Sequence, residues 1–424
     1  MTARATSHRL LLGVRNGAML TVGEHLDVHG PLPAMRRGDA GALLDAVERS
    51  GLRGRGGAHV STALKLRAVA GRRRRAIVVG NGAEGEPASR KDRVLLVHAP
   101  HLVIDGAVVA ARAVGADEAV VVVKASERHA WRSVNRALAE RLRLDDGGPR
   151  LALAGTDDGY VSGQETAVIA ALNGRPAVPV SVPPRPFERG VRNRPTFVGN
   201  VETLAHLALI ARHGADWFRS VGSPASPGTA LVTLGGAVER PGVYEIALGS
   251  PLSDLLHRAG GLVDRPRAPL AGGYGAPWLD AAHLGGLALG GDDPRLGPNS
   301  VGAGVLWVLG ESSCGVWESA RILSWLAAES AGQCGPCLYG LRAIADAFER
   351  LAHGRARPAD GARLARWGAD VTGRGACRHP DGAARFLESA LRVFADEVDR
   401  HGIGRCTATH PPSMPLPIPH LEAA

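Results

Sequence analysis

Three short apolar runs, separated by amphipathic stretches, constrain this chain more than anything else in it. Residues 76–80 read Ala-Ile-Val-Val-Gly, Glu118–Lys124 read Glu-Ala-Val-Val-Val-Val-Lys, and residues 150–154 read Arg-Leu-Ala-Leu-Ala. A strand with one wet face alternates apolar and polar residues; four consecutive valines do not, so such a strand is covered on both faces. Residues 101–114 and 127–142 carry the helical period between these runs. Strand and helix in alternation predict a parallel sheet clothed by helices on each side. Residues 40–49, with Leu43, Leu44 and Val47 on one face, and residues 61–70 read as helices before the sheet, and residues 163–172 and 201–213 as helices after it. Residues 176–195 contain six prolines and read as an extended loop.

The pattern then changes twice. After a Gly/Pro/Ser linker at 222–228, residues 230–234 and 243–246 read as strands around a Pro241-Gly242 turn, and 252–259 as a short helix stopped by Gly260-Gly261. That describes a compact α+β module. Helical patterns dominate from about 315 to 400, at 316–328, 341–352, 360–371 and 383–399. The chain of 424 residues thus divides into a lead-in at 1–38, a sheet domain at 39–225, an α+β module at 226–310, a helical domain at 311–405 and a proline-rich tail at 406–424, expected to be disordered.

Several classes are disfavoured. No apolar stretch reaches the roughly 18 residues of a membrane span. The N-terminal apolar patch at 10–14 is too short for a signal-peptide core. Five cysteines, an odd number in a long chain, argue for a reducing compartment over a disulfide framework. A cytoplasmic location, free or peripheral to a membrane complex, is the expectation. The net charge is +9, but only Lys65, Lys91 and Lys124 are lysines, so 47 of the 50 basic residues are arginine. That bias belongs to a GC-rich coding sequence. The Arg72–Arg75 run lacks interleaved aromatics and reads as a solvated loop, not a nucleic-acid patch.

Five segments carry chemistry. Gly54-Arg55-Gly56-Gly57 permits close backbone approach just before a helix, with Lys65 further along it; by pattern alone it is either a phosphate cradle or a structural turn. Asn81-Gly82-Ala83-Glu84-Gly85-Glu86-Pro87 leaves a strand at its carboxyl end, where open α/β sheets bind ligands; a solvated acidic loop is the alternative. Ser162-Gly163-Gln164-Glu165-Thr166-Ala167 and Phe197-Val198-Gly199-Asn200-Val201-Glu202-Thr203 each read as helix starts. Finally, Glu329-Ser330-Ala331-Gly332-Gln333-Cys334-Gly335-Pro336-Cys337, with Cys377 beyond it, puts three thiols within reach of one metal centre, because a Gly/Pro turn lets Cys-x-x-Cys sulfurs converge. Two buried thiols without metal are the alternative.

In this order, the five segments resemble those of the flavin-carrying, NADH-oxidising subunit of respiratory complex I and its relatives in hydrogenases and formate dehydrogenases, over about residues 39–400. The resemblance implies a Rossmann-like parallel-sheet FMN domain at 39–225, a β-grasp (soluble-ligand-binding) domain at 226–310, and a helical iron–sulfur-binding bundle at 311–405. It implies that Gly54, Arg55, Gly56, Gly57 and Lys65 line the FMN phosphate and ring. Asn81, Glu84, Gly163, Glu165 and Asn200 complete the flavin pocket, and Glu86 and Glu165 lie toward the nicotinamide. Cys334, Cys337 and Cys377 ligate the cluster. The resemblance does not single out a catalytic residue.

The departures are specific. Ala331 stands where the family has its fourth cluster cysteine, so Cys314, His379, Cys406 or an outside ligand fills that corner of a [4Fe-4S] cluster, or the centre is [3Fe-4S]. His59-Val60-Ser61-Thr62-Ala63 and Ala68 stand where the family has stacking phenylalanines, and Arg185 replaces another. Each lost stack removes roughly 0.5–1.5 kcal/mol, which puts NAD binding in question. Ala83, Gln164 and Gly199 also replace polar family residues. The expected function is an FMN- and iron–sulfur-dependent oxidoreductase. It passes electrons from a reduced donor to a ferredoxin or a small iron–sulfur subunit. Two alternatives stand beside it: an electron-transfer or assembly protein that no longer oxidises NADH, and a non-redox binding module built on the β-grasp domain.

Overall fold

The computed structural model describes residues 8–15, 17–34, 38–72, 74–143, 148–290, 293, 302–406, 408 and 415–419. Its first sheet contains β1 (Ile77–Gly82), β2 (Glu118–Lys124), β3 (Arg150–Thr156) and β4 (Thr196–Asn200), all parallel, in the order β3-β2-β1-β4. Successive side chains of β1 and β2 go to opposite faces. Ile77, Val79, Val120 and Val122 join Val168 and Ile169 on one face. On the other, Val78 packs with Leu66, Leu204 and Leu207, and Val121 and Val123 with Leu95, Leu102 and Ala205. Helices cover both faces, which is why these strands show no alternation.

The second sheet is mixed: β5 (Thr229–Gly236), β6 (Gly242–Ala247), β7 (Pro266–Ala271) and β8 (Val305–Gly310) lie in the order β6-β5-β8-β7, with only the central β5–β8 pair parallel. The Leu252–Arg258 helix packs its Leu252, Leu255 and Leu256 onto this sheet. Two strands here, β7 and β8, were not legible in the sequence. β7 carries Pro266 and Pro269, which a strand tolerates because β7 is at the edge. The third unit gathers helices Gly315–Ala328, Leu341–Ala352, Asp360–Val371, His379–Val393 and Ala395–Gly402 around Ile344, Phe348, Phe386 and Leu387.

The β-grasp unit contacts both of the others. Glu202 accepts from Leu231 N at 2.9 Å, and Thr233 Oγ1 from Arg90 N at 2.9 Å, toward the first domain. Trp278 donates its backbone N–H to Ser389 Oγ at 2.9 Å and its indole N–H to Ser319 Oγ at 3.1 Å, toward the helical one. The lead-in carries structure of its own, and the expectation of a disordered tail needs correction. The lead-in contains a helix, Val22–His29, capped by Thr21, and Leu10 is fully buried where its N–H meets Glu245. Part of the tail is ordered: Leu416 and Ile418 are fully buried, and Pro417 O accepts from Tyr274 Oη at 2.6 Å. Residues 407, 409–414 and 420–424 of that tail lie outside the described residues.

Candidate functional site

The chain leaves β1 toward β2 on one side and returns to β4 on the other, so the carboxyl ends of β1 and β4 flank a crevice where the strand order reverses. Crevices of this kind are where open parallel sheets bind ligands. Asn81 and Asn200 face each other across this point in the β1–β4 register. Asn81 donates to Gly163 O at 2.8 Å and accepts from Ala83 N at 3.1 Å. Asn200 caps the Val201–Arg219 helix by accepting from Glu202 N at 3.0 Å, and donates to Asp92 at 2.6 Å. The loop after β1 and the 161–163 turn touch backbone to backbone. A Cβ on Gly163 would lie 2.2 Å from Ala83 O, and one on Gly85 2.2 Å from Tyr160 O.

The glycine turn closes the crevice from above. Gly54 N donates to Val60 O at 2.9 Å and Gly57 holds φ +96°, so the turn is pinned at its base before Ser61 caps the Thr62–Ala70 helix. The resulting cleft has two lobes, of about 530 and 730 Å³, both walled by Gly56, Asn81, Gly163, Gln164, Asn200 and Arg378. Gly54, Lys65 and Glu165 line the first lobe; Arg55, Gly57, Glu84 and Glu86 line the second. The fold therefore brings all eleven sequence-selected cleft residues together.

Their roles differ in detail. Arg55 belongs to the wall, but its guanidinium turns inward, donating to Thr229 O at 3.0 Å beside buried Glu202. Its guanidinium therefore braces the wall, while Arg55 itself lines the second lobe. Lys65 pairs with Glu165 at 2.7 Å and with Val198 O at 2.9 Å, both side chains about one-third exposed. Glu84 accepts from Ser89 Oγ at 2.5 Å and from Asp92 N at 3.3 Å, at the start of the Lys91–His98 helix. Burial, reinforced by Asp92, pushes its carboxyl up to about 7. Glu86 accepts from Tyr274 N at 2.8 Å, and burial pushes it up to about 7 as well. Burial works against the charge of Lys91, but Asp92 at 2.6 Å and Glu202 at 3.1 Å outweigh it and hold the ammonium above the ordinary lysine range.

The second lobe runs from Gly56 and Gly57 to Cys377, Arg378 and His379 of the helical domain. Cys377 is the third member of the cysteine group. Cys337 lies within electrostatic reach of Cys334, Cys377 and the Ser330 hydroxyl. Burial opposes ionisation of Cys334, but N–H groups of Ala376 and Cys337 aimed at its sulfur bring the thiol below the usual range. The His379 N–H is likewise aimed at Cys377, without overcoming the effect of burial, which leaves that thiol raised. Of the expected fourth ligands, Cys314 and Cys406 gather separately with His401. The His379 ring holds Leu326 O at 2.8 Å through Nε2, and its buried Nδ1 lacks a partner.

Several contributors were not named from the sequence, four of which matter to the cleft's shape and charge. Arg378, paired with Asp381 at 2.8 Å, walls both lobes, and its place next to Cys377 was the available signal. Gly272 and Ala276, contributed by the β-grasp unit, gave no local signal. Phe187 lines the first lobe under Arg72, with the guanidinium carbon 5.0 Å from the ring centroid. Ala68 and Arg185 line the same lobe.

The cleft's size suits a mononucleotide cofactor, and its glycine walls fit one: a Cβ on Gly56 would already meet Asn200 at 3.3 Å. The thiols and the N–H groups aimed at them fit an iron–sulfur centre with three protein ligands. Fold and site together define a flavin- and iron–sulfur-dependent oxidoreductase. Residues 47–209 match the Nuo51 FMN-binding domain, 318–401 the NADH-ubiquinone oxidoreductase-F iron-sulfur binding region, and 231–274 the SLBB domain. The F 2 subunit of the NADH-quinone oxidoreductase of Rhizobium meliloti (strain 1021) is 33% identical over 85% of this chain and 88% of its own length. The F subunit of the Streptomyces coelicolor enzyme is 33% identical over 86% and 83%. An NAD+-reducing [NiFe]-hydrogenase in the H2-reduced state superimposes with TM-score 0.81 at 32% identity, over 86% of this chain; this chain spans 63% of the hydrogenase chain. The chain belongs to the family of NADH-quinone oxidoreductase F subunits. It is an NADH dehydrogenase-like oxidoreductase whose cofactors are FMN and an iron–sulfur cluster. No single helix among the described residues is long and apolar enough to cross a membrane.

Proposed function

We propose that the cleft holds FMN, receives electrons from a reduced nicotinamide dinucleotide, and delivers them through the Cys334/Cys337/Cys377 centre to an iron–sulfur protein partner. The observation that carries this reading is the continuity of the second lobe, which has Gly56 and Gly57 on one wall and Cys377 on the other. A flavin accepts two electrons as hydride and releases them singly, which is what couples a dinucleotide to an iron–sulfur centre.

The residues supply position and charge. Gly54 N and Arg55 N are engaged by Val60 O and Thr203 Oγ1, and Thr62 N by Leu52 O, so the backbone at Gly56 and Gly57 is the part of the turn that presents N–H groups to a phosphate. Lys65 presents a cation that Glu165 and Val198 O hold in place. Glu84 and Glu86, each near neutrality in its proton affinity, keep the proton inventory of the second lobe adjustable at physiological pH. Cys334, Cys337 and Cys377 are the cluster ligands in this reading.

A second reading has a donor other than NADH. It is favoured by Ala68 and Arg185, which line the first lobe at positions where relatives would place stacking rings. Phe187 in the same lobe supports the dinucleotide. Anaerobic absorbance with flavin and iron quantitation, before and after NADH, separates the readings. The proposal expects a flavin band that bleaches on mixing with NADH. A flavin band that persists against excess NADH but bleaches with dithionite favours the second reading. Flavin-free protein overturns both.

A further inference from the structure

We propose that Cys314, His401 and Cys406 form a second metal site, separate from the Cys334/Cys337/Cys377 group, for a divalent cation of the zinc class. The two sulfurs and one imidazole nitrogen all lie within 4.8 Å of one another, and Cys314 Sγ is 3.2 Å from His401 Nε2. In a tetrahedral zinc site, with bonds of about 2.3 Å to sulfur and about 2.0 Å to nitrogen, neighbouring donors sit roughly 3.5–3.8 Å apart. The three donors need only small shifts to settle around an ion.

The surroundings point the same way. His401 Nδ1 is 2.8 Å from the Ala352 carbonyl, which can only accept, so Nδ1 carries the proton and the Nε2 lone pair faces the sulfur. A carbonyl that fixes the tautomer in this way is the usual support of a metal-bound histidine. Cys314 begins the Gly315–Ala328 helix and its sulfur accepts from Trp317 N at 3.3 Å, where the helix end favours negative charge. Glu397 lies 3.5 Å from the same sulfur, but one of its oxygens is engaged by Gly315 N at 2.9 Å and the other by Arg267, so it buttresses the site and is not needed as a ligand. Two thiolates and an imidazole select zinc-like ions over magnesium or calcium. Cys314 and His401 are 87 residues apart, so an ion there fastens the first helix of the bundle to the end of its last. The exposed Cys406 side leaves the fourth position to water.

The test is metal analysis of the full chain purified with a non-chelating reductant. About one zinc per chain is expected beside the iron. Cys406→Ser, at an exposed position, should lose that zinc while keeping iron, and His401→Gln should do the same; Cys334→Ser should lose iron and keep zinc. Cobalt substitution should give tetrahedral visible bands and a thiolate charge-transfer band that Cys406→Ser abolishes. Zinc content indifferent to Cys406→Ser and His401→Gln, iron lost with Cys406→Ser, or a Cys314–Cys406 disulfide in freshly lysed cells would each overturn the proposal. Cysteine alkylation before unfolding keeps the disulfide outcome readable even where a variant folds poorly.

Discussion

The cleft and the cysteine-bearing bundle solve opposite electrostatic problems. In the cleft, carboxylates are buried on the loop that leaves β1, and burial wins: Glu84 and Glu86 both rise to about 7. In the 334–337 loop, Cys334 is only partly buried and N–H groups are turned toward it; the hydrogen bonds win and its thiol falls below the usual range. Its neighbour Cys337 is buried next to another sulfur and rises to about 12. Desolvation prevails at Glu84, Glu86 and Cys337, and Cys334 escapes it because amides point at its sulfur. In the proposed reading the two regions hold their cofactors by unlike means, shape and glycine in one, thiols and amides in the other.

The most severe way to break this comparison is to remove one thiol. Cys337→Ser should reduce bound iron to near zero and leave flavin content within about a factor of two of wild type, because no sequence-selected cleft contact depends on residue 337. Iron and flavin quantitation on the same preparation reads it directly. Joint loss of both would mean that the two regions are one cooperative unit.

A smaller effect sharpens the cleft side. The folded-state proton affinity of Glu86 lies above its ordinary value of 4.5, at about 7, so the folded chain binds that proton more tightly than the unfolded one. Its contribution to stability is full below about pH 4.5 and is lost as pH rises through about 7. Glu86→Gln keeps a neutral acceptor for Tyr274 N. Cofactor-free variant protein should be more stable than wild type at about pH 8, by no more than about 3 kcal/mol at roughly 1.36 kcal/mol per unit, and equal to it near pH 4.5. Denaturant unfolding at the two pH values checks this; an equal difference at both would place the effect in packing and not in protonation.

The regions also differ in how far the sequence revealed them. β1 and β2 announced themselves because burial on both faces demands uninterrupted valine, and the Cys-x-x-Cys loop because its thiols are close in the chain. β4 was hidden. Thr196–Asn200 contains a glycine and ends on an asparagine that caps the next helix, so it reads as a helix start. β7 was hidden by its prolines. The eleven sequence-selected residues that line the cleft were named by the resemblance of their motifs and not by spacing, whereas Arg378, Phe187, Gly272 and Ala276, which line it too, were not named. The direction of the Arg55 guanidinium was not legible, since it depends on Glu202 and Thr229 far along the chain. The Cys314, His401 and Cys406 group had no local signature, because only tertiary packing assembles it.

The close backbone contact under the cleft gives the next test. Gly163→Ala must move either residue 163 or Ala83 O, 2.2 Å from the new Cβ. Overpacking of this kind costs about 1–3 kcal/mol, and here it also shifts Asn81, which bonds Gly163 O. Flavin retention should fall roughly tenfold, at about 1.4 kcal/mol per decade, while iron content stays unchanged, the mirror image of Cys337→Ser. If Gly163→Ala binds flavin normally, the cleft is more plastic than its glycines suggest, and shape is not what holds the cofactor there.

The smallest effect concerns the donor. Arg185 lines the first lobe together with Phe187, whose ring already lies beneath Arg72. Arg185→Phe adds a second ring to that wall, and an added aromatic contact is worth roughly 0.5–1.5 kcal/mol, or about a 2- to 12-fold gain in dinucleotide affinity at about 1.4 kcal/mol per decade. A ring that only grips the dinucleotide strengthens ground state and transition state alike, so KM for NADH should fall by that factor with kcat unchanged. Phe187→Ala should move KM the other way by a similar amount. If neither substitution changes KM while the flavin still bleaches with NADH, the adenine end of the donor lies elsewhere. If the flavin does not bleach even with Arg185→Phe, a missing stack is not what separates this chain from NADH, and the donor differs in kind.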